Sequence, residues 1–148
     1  MYLIIPAIQV AFCLGLLVIL MITGKKHVAR KPFSLFLVFA TLWGFFIFIM
    51  RAAPDTSSAL IWEKLVFISI VSGAIFFYRF AITLTGINPG NKWIYPVYIS
   101  YLLVLVLIPT TGLIVRDMQM MWYGKAPVIG PLFPLYVLTA YVPIIFGA

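Results

Sequence analysis

Residues 2–23 carry no charged side chain, and three further uncharged runs follow at 32–50, 93–115 and 131–148. At about 1.5 Å per helical residue, a run of this kind spans the roughly 30 Å of a bilayer's hydrocarbon. A cleaved signal peptide needs a basic segment before a shorter apolar core. Here no cation precedes the first run and Gly24-Lys25-Lys26 follows it, so it reads as a retained helix. Composition removes a soluble fold. Hydrophobic residues make up 65% of the 148 and charged residues 9%, too few polar groups to cover a water-facing surface.

The pattern predicts an all-α fold, a polytopic transmembrane helix bundle forming a single domain over 1–148. Its helices are expected at about 2–23, 32–51, 59–85, 93–115 and 131–148. The third run holds Glu63, Lys64 and Arg79 near its ends. Residues 52–58 and 86–92 have the Pro, Gly, Asn and hydroxyl content of tight connections, and 116–130 is expected to be the longest loop. Pro96, Pro109, Pro134 and Pro143 fall inside the last two spans, where kinks are expected. The fifth run ends without a basic anchor, which predicts a chain truncated at its C-terminus.

Charge placement predicts orientation. One face holds Lys25, Lys26, Arg30, Lys31, Arg79 and Lys92 with no acid; the other holds Arg51, Lys64, Arg116 and Lys125 against Asp55, Glu63 and Asp117. Cations are retained on the cytoplasmic side, so Lys25, Lys26, Arg30, Lys31 and Lys92 act as topology anchors. The N-terminus then lies outside a multi-pass protein of the cell membrane. The net charge of +7 is accounted for by these loops, and nucleic-acid binding is not expected.

Small residues at four-residue spacing let helix backbones approach in lipid. Ala7, Ala11 and Gly15 form such a stripe on the first helix, Ala40 and Gly44 on the second, Ser69 and Gly73 on the third. Trp62 and Trp93 fall at the expected interfaces, and Trp122 and Tyr123 have the character of headgroup-level residues.

Few residues could carry chemistry. Arg51 and Glu63 sit near the outer ends of consecutive antiparallel helices, either anchoring the interface or presenting charge to a ligand. Arg79 lies about two turns from the inner end of the third helix, snorkelling to headgroups or coupling an outer event inward. Met118, Met120 and Met121 beside Gln119 read as a greasy loop hook before a Cu(I) thioether site. Cys13 is alone, and His27 is the sole imidazole, set among cations. No P-loop, GxSxG, zinc spacing or intramembrane carboxylate pair occurs. No catalytic residue, metal or cofactor is expected, and the chain is not expected to be an enzyme.

Trp43-Gly44, then Ile61-Trp62-Glu63-Lys64-Leu65, Phe67-Ile68-Ser69 and Phe80-Ala81-Ile82-Thr83-Leu84-Thr85-Gly86 together resemble the N-terminal seven-transmembrane sensor region of bacterial histidine kinases. The same region is also found before diguanylate cyclases. Ser69 replaces a common Gly, and the last element lacks its usual Tyr. The resemblance is close over 32–86 and extends to the later helices by layout, covering five of seven spans. It implies a sensory input module acting near Arg51, Trp62, Glu63 and Arg79, with a kinase or cyclase output belonging to a longer protein. The alternatives are a non-enzymatic subunit of a larger membrane complex and a small transporter. In each case the partners are the lipid bilayer and other transmembrane helices, in a homodimer or a larger assembly.

Overall fold

The computed structural model describes residues 3–23, 27–86, 91–122 and 124–147, excepting the side chains of 91–94 and 146–147. Five helices and one hairpin follow in order: α1 (Ile4–Thr23), α2 (Arg30–Ala52), α3 (Thr56–Thr85), α4 (Asn91–Thr110), β1 (Val115–Met121), β2 (Gly124–Ile129) and α5 (Phe133–Gly147). Of these, α1, α2 and α3 are long and apolar enough to cross a membrane. Shorter apolar helical stretches run over Tyr95–Thr110 and Phe133–Ile145.

Helix α3 is the axis of the bundle, touching α2, α4, α5 and both strands, whereas α1 touches mainly α2. The α2–α3 corner is built from local chemistry. Ala53 takes φ −57° and ψ 141° ahead of Pro54, the extended conformation that a following proline imposes. Asp55 then caps α3: its carboxylate accepts the Ser58 N–H at 2.7 Å and the Ser58 hydroxyl at 2.8 Å. The helix ends at Gly86, whose φ of 67° is the left-handed conformation in which a residue without Cβ is unstrained.

An aromatic ladder joins α2 to α3. Phe33 meets Phe80 at 4.8 Å, Phe36 meets Phe77 at 5.6 Å, Phe39 meets Phe76 at 5.4 Å, and Phe46 meets Trp62 at 5.9 Å. As numbers rise on one helix they fall on the other, the signature of antiparallel neighbours. Each such pair contributes about 0.5–1.5 kcal/mol beyond area burial. Helix α1 docks on α2 through Gly44, where an added Cβ would stand 3.0 Å from Val10 Cγ2 and 3.4 Å from the Pro6 carbonyl oxygen. Gln9 Nε2 donates to the Ala40 carbonyl at 3.2 Å beside this contact. At the opposite end Arg30 Nη2 donates to the Met21 carbonyl at 3.1 Å, satisfying an orphan acceptor of the last turn of α1.

Hydroxyls inside the helices find acceptors in their own backbone. Thr41, Ser69 and Thr139 donate to the carbonyls of Leu37, Leu65 and Leu135 at 2.8–2.9 Å. In lipid that local satisfaction replaces water.

The segment 116–130, expected as a loop, is an antiparallel hairpin, and α4 stops at Thr110 where a helix to 115 was expected. The reason lies in Pro109 through Gly112, which end the helix, and in the burial of Ile114, Val115 and Met118 against polar neighbours that face outward. Strand pairing then satisfies the backbone that a bare loop would leave open. Pro127 is tolerated because a two-stranded ribbon has only edge strands. Gly130 closes the hairpin against the Leu113 carbonyl, where any Cβ would collide. A core cluster joins Phe67 and Val71 of α3 to Val104 and Ile108 of α4, Val115 of β1 and Tyr136 of α5.

Candidate functional site: a cleft beneath the hairpin

The hairpin lies over the ends of α2 and α3. Met118 of β1 is buried against Met50 and Ala59, with Ala53, Leu60 and Trp62 around them. Lys125 of β2 donates to the backbone carbonyl of Ala53 and so ties the second strand to the α2–α3 corner. Lys64, about two turns into α3, reaches the carbonyls of Pro109 and Thr111, both at 3.4 Å, and holds its cation at the C-terminal end of α4.

These contacts leave a cleft of about 490 Å³ between α2, α3, β2 and the start of α1. Ile47, Met50 and Val66 give it apolar walls; Arg51, Glu63 and Lys125 supply its charges. Glu63 is only 6% exposed, and its Oε2 has no hydrogen-bond partner. The Arg51 guanidinium is close enough for its field to act on that carboxylate. The Tyr136 hydroxyl, on the α5 side and within the field of Glu63, is likewise buried without a partner. Outside the spans, Asp55 is held below the usual carboxylate range by its bonds from the Ser58 N–H and hydroxyl, aided by Lys125.

The residues singled out from sequence divide between the two ends. Arg51 and Glu63 both line the cleft, and Trp62 stands beside it, its ring tilted against that of Phe46. Arg79 is exposed near the far end of α3, about 24 Å from Glu63 by helical rise. On the packing faces, Ala40 is partly buried, Gly44 is buried under α1, and Ser69 and Gly73 are buried in α3, with Phe39 Cβ at 3.7 Å from a Cβ built at Gly73. Ala7, Ala11 and Gly15 lie on the exposed side of α1; the face turned to α2 is that of Pro6, Gln9, Val10 and Cys13. Gln9 decides this rotation, because its amide has a carbonyl to meet only on that side. Met120 and Met121 are exposed while Met118 is buried. Arg30 binds the end of α1, and Lys31 is exposed. Lys25, Lys26 and Tyr123, and the side chains of Lys92 and Trp93, lie outside the described residues.

Sequence reasoning missed Lys64, Lys125 and Tyr136. A signal for Lys64 was present: in the Trp62-Glu63-Lys64-Leu65 motif, three successive positions point to three different neighbours. Nothing local foretold that Lys125 would reach Ala53.

Long apolar helices bundled around a hairpin-covered, charged cleft define a membrane-type helical protein, with no group of three metal-ligating His, Cys, Asp or Glu among the described residues. The chain belongs to the family of the N-terminal 7TM region of histidine kinase, whose family model matches residues 6–148. The family is a transmembrane sensory input region, which places the chain in a membrane and in signal transduction. Comparison with curated proteins and with solved structures returns no match.

Proposed function

We propose that this chain is the sensory input region of a histidine kinase signalling system in the cytoplasmic membrane, receiving its signal at the hairpin-covered end. Its helices cross the bilayer five times, with the N-terminus and hairpin outside and Arg30, Lys31 and Arg79 at the cytoplasmic face. The charge asymmetry of the loops supports that orientation. So does the gathering of Leu3, Arg51, Glu63 and the hairpin at one end of the bundle.

The observation that carries the reading is the buried, incompletely bonded Glu63 in an open cleft. A carboxylate so placed costs stability unless something meets it, so the cleft has differential affinity to offer a stimulus. Because α3 touches α2, α4, α5 and both strands, a displacement at Glu63 is delivered along the most buried helix to its Arg79 end. The region acts as a non-catalytic input.

The test joins this region to a histidine kinase output and follows autophosphorylation in membrane vesicles. Filling the cleft with Val66→Phe is expected to hold autophosphorylation at one level whatever the medium. A Val66→Phe chimera that folds and responds as the parent does would remove the reading.

A further inference from the structure

Three charged side chains share the cleft, two cationic and one anionic. Glu63 is more than nine-tenths buried with Oε2 unmet, and a desolvated carboxylate gains most from a charged donor. Lys125 gives one of its three N–H groups to Ala53 and sits on β2 at the cleft wall, with Arg51 on the α2 side. A simple cation would meet Glu63 but add to the positive surplus of the site. A simple anion would lie against Lys125 on the β2 wall but leave Glu63 unmet. A molecule carrying both charges meets Glu63 and Lys125 at once. Ile47, Met50 and Val66 supply apolar contact for the remainder of such a molecule, and about 490 Å³ falls within the usual range of small-ligand sites.

We propose that this cleft binds a zwitterionic amphiphile whose primary ammonium donates to Glu63, whose anionic group lies against Lys125, and whose apolar part rests on Ile47, Met50 and Val66. The position of the cleft at the ends of the spans puts it at headgroup depth, where an aminophospholipid presents this chemistry. A soluble zwitterion with a short apolar tail presents it as well. The assignment rests on the sensory reading above for its consequence, though not for binding itself.

The experiment titrates the whole purified chain in maltoside micelles, following thermal unfolding and native mass spectra. Its probes are dihexanoyl phosphatidylethanolamine, dihexanoyl phosphatidylcholine and tail-less phosphoethanolamine. The ethanolamine lipid is expected to raise Tm saturably and to bind about tenfold tighter than the choline lipid, whose quaternary ammonium has no N–H to donate. Glu63→Gln is expected to abolish that preference. Binding of phosphoethanolamine as tight as that of its lipid would overturn the apolar contact with Ile47, Met50 and Val66, and with it the amphiphile. Equal binding of the two lipids by the parent protein overturns the proposal, as does a preference that survives Glu63→Gln. Should that variant not fold, the parent's ethanolamine-to-choline ratio decides alone. No lipid preference alongside a kinase locked by Val66→Phe removes the ligand class and leaves the sensory role. A clear preference alongside an indifferent kinase does the reverse.

Discussion

Lys125 of β2 donates its ammonium to the backbone carbonyl of Ala53, the residue between α2 and the proline that turns the chain into α3. One side chain thereby fastens the hairpin to the corner of the two helices that wall the cleft. Lys125→Ala is expected to loosen the hairpin by about 1 kcal/mol, just below the range for a charged hydrogen bond because the group is half-exposed. Amide exchange across Met118–Met121 should accelerate about fivefold. Unchanged protection there would mean that packing of Met118 alone seats the hairpin.

The docking of α1 turns on Gly44. A Val there would drive its branches into Val10, Gln9 and Pro6, and overpacking of this kind costs about 1–3 kcal/mol. Gly15 has nothing within 4 Å of an added Cβ, so Gly15→Ala is expected to cost nothing. Thermal unfolding in detergent compares the two. The opposite ranking would show α1 rotated onto its Ala7, Ala11 and Gly15 stripe.

Asp55 links the start of α3 to pH. Its carboxyl is held below its ordinary value of 3.8 by the Ser58 N–H and hydroxyl, with a smaller contribution from Lys125. A lowered folded-state pKa means that the ionised cap stabilises the fold above the ordinary value. That stabilisation is lost as pH falls below 3.8 through the lower folded value. The first turn of α3 should therefore fray in that acid window, read from exchange of the Ser58 amide. Asp55→Asn keeps a capping oxygen and should flatten the dependence.

Tyr136 offers a test of the buried interior. Its hydroxyl has no partner, so Tyr136→Phe removes a desolvated polar atom and is expected to be neutral or to stabilise the bundle by up to about 1–2 kcal/mol. A loss of stability in thermal unfolding would reveal a hydrogen bond, through water or directly, between this hydroxyl and the Glu63 carboxylate.

Much of the architecture could be read in advance because lipid imposes a simple rule on composition. An uncharged run of sufficient length has few alternatives to a helix, so the five helical segments were legible within a few residues at most ends. The departure came at 111–130. Alternation there is irregular, with a register shift between Val115 and Asp117, and after Val115 the apolar residues of β1 are methionines, which suit a loop as well as a strand. The pairing partner of each residue lies on the other strand, and periodicity along one strand does not reveal it. The antiparallel phenylalanine ladder escaped for the same reason: each ring belongs to an ordinary apolar run, and only the juxtaposition of α2 and α3 makes it a series.

Charge and hydropathy along the chain determined that it forms apolar helices, which loops hold the cations, and that Arg51 and Glu63 approach one another at a single end. All three are local or nearly local consequences of solvation, since the cost of a charge in hydrocarbon depends on the side chain and its depth. Tertiary structure alone decided that Glu63 is buried with an unmet oxygen and that Lys125 reaches across to Ala53. It also turned Gln9 and not Gly15 toward α2. Those outcomes depend on close packing and directional hydrogen bonds between segments far apart in sequence, whose geometry exists only once the helices have met.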